Sequence, residues 1–205
     1  MKYLNPKIFV MKQHSFLLLF LLLSINSIGQ LEKRTWLVGG SGNFLTSKTT
    51  YNSPNYSSKS DRLDVKISPG IGYFFYDKFA AGLKLSYSKY KENFNGNAGI
   101  QSNTNRFEFG PFVRYYFLNT ENQYNILLDL CYQYGLYSSK PTKGDINTFS
   151  FSAGTVIYFN SAVGIELMPG YYSRKEVIKQ NGDMINKQSG FQLNIGFQIH
   201  LQKLD

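Results

Sequence analysis

The chain has 205 residues, a formal net charge of +9, 16 tyrosines, 17 phenylalanines and one tryptophan, and only 17 % of its residues are charged. Its length suits one domain, its aromatic content favours strands and wet-to-apolar boundaries, and a single cysteine, Cys131, excludes an internal disulfide framework. Cys131 has no His or Cys neighbour at metal-ligand spacing, so it reads as a small packed side chain rather than a nucleophile.

The first element is not part of a fold. Lys2, Lys7 and Lys12 precede the apolar run Phe16 to Leu23, and small residues follow at Ser27 and Gly29. This pattern predicts a secretory signal peptide over 1–29, cleaved after Gly29, because the apolar run is far shorter than the ~20 residues that span a bilayer as a helix. The domain is then expected over 30–205.

Beyond Gly29 no helical apolar period persists, whereas alternation of period two recurs. It predicts eight strands, at 35–46, 61–76, 78–91, 104–118, 123–138, 147–159, 162–177 and 187–201. The last reads SGFQLNIGFQIHLQ, in which Phe191, Leu193, Ile195, Phe197, Ile199 and Leu201 take every odd position and polar residues or glycine every even one. The connections alternate as well. Short ones fall near Asp77, at Asn119 to Asn122 and at Asn160–Ser161; long polar ones read TSKTTYNSPNYSSKS, ENFNGNAGIQSN, SKPTKGDI and QNGDMI. Hairpins that alternate tight turn and long loop send every long loop to one end, which is the asymmetry of bacterial outer-membrane barrels. A repeat at an offset of 42 residues, carried by Phe75, Phe117 and Phe159, makes one hairpin plus its loop the repeating unit. The fold expected is all-β: an eight-stranded antiparallel up-and-down transmembrane β-barrel, a meander with short periplasmic turns and long outer loops.

Which face is wet decides the class of protein. With the apolar stripes on one side, the other side receives Asp64, Lys66, Lys84, Glu108, Arg114, Asp129, Glu166 and His200, a near-balanced set suited to a crowded lumen where unpaired charge is costly. Of twelve strand glycines, ten lie on that same side, leaving room for long side chains in an interior that eight strands barely open. Strands of about 11 residues tilted near 40° rise roughly 28 Å, enough for an apolar band of about 25 Å. Phe191, Leu193, Ile195, Phe197, Ile199 and Leu201 are therefore expected to face lipid. Pro69, Pro111 and Pro169 fall inside strands, where a missing donor interrupts a ladder, and β-bulges are expected there.

Basic residues gather at the long-loop end. A solvated rim explains this as well as a contact with lipopolysaccharide phosphates does, and Lys89, Lys91, Arg174 and Lys175 are the candidates for that contact. Nucleic acid is not an expected partner, since these loops would lie outside the cell. GGSGNF (Gly39 to Phe44) has no helix after it to complete a phosphate loop.

The stretch ISPGIGYFFYDKFAAGLKLSYS and the C-terminal pattern at Asn194, Gly196, Ile199 and Leu201 resemble the small outer-membrane β-barrel proteins of Gram-negative bacteria, the OmpA/OmpX-like group. The resemblance implies an integral outer-membrane protein, inserted by the barrel-assembly machinery, surrounded by outer-membrane lipid and monomeric. No enzyme chemistry is expected: the one histidine of the mature chain, His200, lies at the periplasmic end, and no cofactor or metal is called for. The function expected is structural or interactive, with a polar lumen plugged by Phe74, Phe112, Tyr116, Tyr158 and Tyr172. A narrow passive channel and an accessory barrel of a secretion or assembly system are the alternatives.

Overall fold

A sheet with one apolar and one polar stripe per strand can shield a single face from its surroundings only by curling on itself. The computed structural model describes residues 31–53, 56–95, 101–119, 121–139, 142–179 and 184–201, so the expected signal peptide lies outside the described residues. Eight strands follow one another: β1 (Trp36–Ser53), β2 (Tyr56–Tyr76), β3 (Phe79–Asn95), β4 (Gln101–Tyr116), β5 (Tyr124–Ser139), β6 (Thr142–Tyr158), β7 (Val163–Lys179) and β8 (Met184–Leu201). Each pairs antiparallel with the next and β8 returns to β1, so the sheet is a closed up-and-down barrel.

At the short-turn end the strands stop within two residues of their expected limits. Local chemistry makes those turns. Asn160 Oδ1 accepts from the backbone N–H groups of Ala162 and Val163, both at 2.8 Å, and Lys78 adopts a positive φ of 66° to reverse the chain after Asp77. At the other end the strands run beyond their expected limits into the polar segments, and β1 and β2 stay paired up to Ser53↔Tyr56. Those residues satisfy their backbone across the hairpin, while their largely polar sequence lacks the alternation by which a strand is read.

The three prolines are not bulges, which corrects a second expectation. Pro69 pairs with Gly40, Pro111 with Leu83 and Pro169 with Leu193 in unbroken register on one side. On the other side each ladder skips two residues and resumes in the same register. A missing N–H costs a bond on one edge of the strand without demanding an extra residue. The one register shift of the β2–β3 pair lies between Phe74 and Tyr76, beside the turn at Asp77.

The core sits inside the barrel. Its floor, at the short-turn end, is apolar: Leu37, Phe74, Leu127, Val156 and Tyr158 are buried, together with Leu31, which precedes β1. The segment carrying Leu31 is tied under the barrel by backbone bonds, Lys78 N to Leu31 O at 2.8 Å and Arg34 N to Phe74 O at 2.9 Å, and by Lys33 N to Asp77 Oδ1 at 2.7 Å. Close approach explains two inward glycines. A β-carbon on Gly72 would stand 2.9 Å from the Phe112 ring, and one on Gly82 would collide with the Ile71 carbonyl oxygen of the neighbouring strand.

Candidate functional site

Above the apolar floor the lumen is crossed by charged side chains in layers. In the lowest, Arg114 of β4 reaches Asp129 Oδ2 through Nη2 at 2.9 Å and Glu166 Oε1 of β7 through Nη1 at 3.0 Å. Lys84 holds the other oxygen of Asp129 at 2.9 Å. Arg114 also donates to Gln198 Oε1 at 3.2 Å; Tyr116 donates to the same oxygen at 2.6 Å, and Gln198 Nε2 donates to the Tyr158 hydroxyl at 3.0 Å. Two carboxylates thus share one planar guanidinium whose fork suits such bridging, and the remaining donors go to neutral oxygens. Next comes a neutral layer, in which Ser68, Ser86 and Gln133 are joined by hydrogen bonds of 2.9 and 3.0 Å.

Two more ion pairs span the lumen above it. Arg174 of β7 meets Glu108 of β4 at 3.5 Å and donates to Thr148 at 3.2 Å, while Arg106 of β4 meets Glu176 of β7 at 2.9 Å. With Arg114–Glu166, three bridges tie β4 to β7 across the interior, although these strands are not neighbours in the sheet. Asp64 and Lys66 occupy the outer part of the lumen and line a cavity of about 400 Å³. His200 stands apart from all of these. It is enclosed in the floor by the rings of Phe74, Tyr116 and Tyr158, with centroids 5.5, 6.3 and 5.8 Å away. The eight lumen residues singled out from the sequence therefore divide among levels: Lys84, Arg114, Asp129 and Glu166 form one cluster, Glu108 joins Arg174, Asp64 and Lys66 line the cavity, and His200 lies in the floor.

The outer face is apolar over its middle. Aromatic rings gather at the short-turn end, where Trp36, Tyr73 and Phe75 stack edge-on at 5.1 and 5.3 Å beside exposed Tyr76, Tyr115, Phe117, Tyr124 and Phe159. A second set of tyrosines lies towards the long hairpins. Tyr87 donates to Asn105 at 3.1 Å, Tyr132 to Asn147 at 2.9 Å and Tyr134 to Asp145 at 3.2 Å, each hydroxyl reaching away from the apolar belt. Between Tyr124 and Tyr134 the ten residues of β5 rise roughly 25 Å at a tilt near 40°. Beyond them Lys179 is hydrogen-bonded to Asp145 at 2.7 Å, which holds that carboxyl below the usual carboxylate range. Phe191, Leu193, Ile195, Phe197 and Leu201 are exposed on this outer face and Ile199 half-exposed.

The barrel matches known structures. It shares its fold with the outer membrane protein OprG from Pseudomonas aeruginosa. The TM-score is 0.59 at 14 % sequence identity, over 86 % of this chain and all of that one. Neisserial surface protein A is also similar, with a TM-score of 0.46 at 14 % identity over 80 % of this chain and 96 % of that one. No protein-family model and no curated protein matches the sequence.

One candidate is corrected by the geometry. Arg174 is 8 % exposed and points into the lumen, whereas Lys89, Lys91 and Lys175 are exposed on the outer face. Arg174 and Lys175 are consecutive in a strand, so only one of them can face outwards. Arg106 and Glu176 are lumen residues outside the expected polar set, whereas Gln198, on the expected inner stripe of β8, joins the Arg114 cluster. Glu176 and Arg106 do follow the alternation of β7 and β4, but in stretches where polar residues occupy both faces. Among the described residues no three His, Cys, Asp or Glu side chains converge on a metal position, and Cys131 is buried and free.

Proposed function

We propose that this protein is an integral outer-membrane β-barrel without enzymatic activity, closed to solute flow by its lumen and acting through the exposed long hairpins. The observation that carries the reading is the outer face: an apolar belt about 25 Å tall, bounded by aromatic girdles whose tyrosine hydroxyls turn towards polar partners, has the dimensions and edges of a lipid-facing surface. In that reading Phe191, Leu193, Ile195, Phe197, Ile199 and Leu201 contact lipid, the short turns face the periplasm and the long hairpins face outwards. The plug has its own support. Around the Arg114 cluster the lumen retains cavities of only about 30 and 40 Å³, room for a water or two each.

Outer-membrane fractionation with heat-modifiable gel migration tests the placement, and a soluble, unmodifiable protein would overturn it. Planar-bilayer recording tests the plug: no steady current is expected from the purified barrel, and a stable ohmic conductance would favour the narrow channel instead.

The outward lysines are proposed to bind anionic phosphates of lipopolysaccharide. Lys175 stands directly opposite Lys187 across β7 and β8, a like-charge pair that an anion between them would relieve. A variant with glutamine at Lys89, Lys91, Lys175 and Lys187 is expected to retain its fold and to co-purify with several-fold less lipopolysaccharide; an unchanged amount would remove this proposal.

A further inference from the structure

The wall of the barrel is not closed to the same height all the way round. β1 and β8 pair only from Trp36↔Leu201 to Gly42↔Ile195. Above that point β1 stays with β2 as far as Ser53, and β8 stays with β7 as far as Met184, while among the described residues the two pair no further with each other. The Asn43 side chain donates to the Leu193 carbonyl at 2.8 Å just beyond the last pair.

The cavity of about 400 Å³ lies at this level. Phe191 and Leu193 come from the outer face of β8, and Gln192 from its inner face. These residues lie along the edge of β8 that β1 leaves unpaired, so the cavity stands beside the opening in the wall between β1 and β8. Its volume is within the range of small-molecule sites.

The two ends differ in chemistry. On the lumen side, Lys66 makes no hydrogen bond and no ion pair among the described residues, and the Ser88 hydroxyl is buried without a partner. Arg174 commits Nε to Thr148 and Nη2 to Glu108, and Nη1 has no hydrogen bond among the described residues. Glu108 is one carboxylate beside the two cations, and Asp64, also in the lining, has an interaction of its own. Donors held in a partly dry place with their bonds unmade are a site for an oxyanion. On the outer side, Phe191 is 90 % exposed. We propose that the opening between β1 and β8 binds an amphiphile with an oxyanion head, the head on Lys66, Arg174 and Ser88 and the hydrocarbon chain passing over Phe191 and Leu193 into the surrounding lipid. This rests on the reading of the outer face as lipid-facing.

The test uses the full barrel in phosphatidylcholine nanodiscs, titrated with dansyl-undecanoic acid against empty nanodiscs. Saturable binding of one probe per chain is expected, displaced by laurate or by dodecyl phosphate and not by dodecyltrimethylammonium. Stronger displacement by laurate would identify the natural source as a free fatty acid, and stronger displacement by dodecyl phosphate would identify a lipid phosphate; both outcomes support the site. Lys66→Met should weaken binding at least tenfold, Lys66→Arg should restore most of it, and Lys143→Met on the outer surface should change nothing. Gln192→Glu, which keeps Lys66, should also weaken binding by placing a second carboxylate beside the head. Absence of saturable binding, equal displacement by the cationic amphiphile, or full affinity in both Lys66→Met and Gln192→Glu would overturn the proposal. If that happens with a heat-modifiable outer-membrane protein, the lateral site alone is lost; an unmodifiable soluble protein overturns both it and the barrel placement.

Discussion

Arg114→Leu is expected to destabilise the barrel by about 3–5 kcal/mol, the usual cost of removing one partner from a buried ion pair. The arginine neutralises Glu166 at 3.0 Å and shares Asp129 with Lys84, so its loss leaves Glu166 without its ion-pair partner in an interior where it is 5 % exposed. Gln198 and Tyr116 lose a donor as well. Lysine cannot bridge two carboxylates in the same way, and Arg114→Lys should recover only a part. The double variant Arg114→Leu with Glu166→Gln should be more stable than the single one, because the stranded charge is then gone. The urea midpoint of the heat-modifiable band measures all three. A midpoint unchanged in Arg114→Leu would show that the cluster contributes nothing to stability.

Phe74→Ala should cost a comparable amount, about 3–5 kcal/mol, through the cavity left by a fully buried ring. Phe74 is 0 % exposed, lies 5.7 Å from the Tyr116 ring and 5.5 Å from His200, and belongs to the cluster that includes Leu31. Its loss opens the floor and leaves the Arg114 layer in place. The single variant is therefore expected to be unstable yet non-conducting, whereas Phe74→Ala combined with Arg114→Leu and Glu166→Gln should pass measurable current in a planar bilayer. A conducting single variant would place the seal in the floor rather than in the charged layer above it.

Some of the lumen was legible residue by residue. Lys84, Arg114, Asp129 and Glu166 stand at alternate positions against unmistakable apolar stripes, and period two carries such residues to the common side without knowledge of their partners. The same rule, applied to neighbours 174 and 175, separates an inward arginine from an outward lysine; grouping the two as basic loop residues overlooked it. Leu31 had no signal of its own. It lies just outside the alternation, and its burial follows from the bond its own carbonyl accepts from Lys78 N and the bond Arg34 N donates to Phe74 O, each spanning forty positions or more.

From the sequence come the eight strands, their short-turn boundaries, the order of the hairpins and the inner and outer side of each strand, because these follow from local alternation and turn chemistry. The tertiary structure decided three further things: that β4 and β7 are bridged across the lumen, that the prolines interrupt ladders without bulging, and that β1 and β8 separate above Gly42 and Ile195. Each depends on tilt and stagger in a closed sheet, which set which residues of distant strands share a level. Period two names the face of a side chain but not its height in the barrel, and both the ion pairs and the opening in the wall are matters of height.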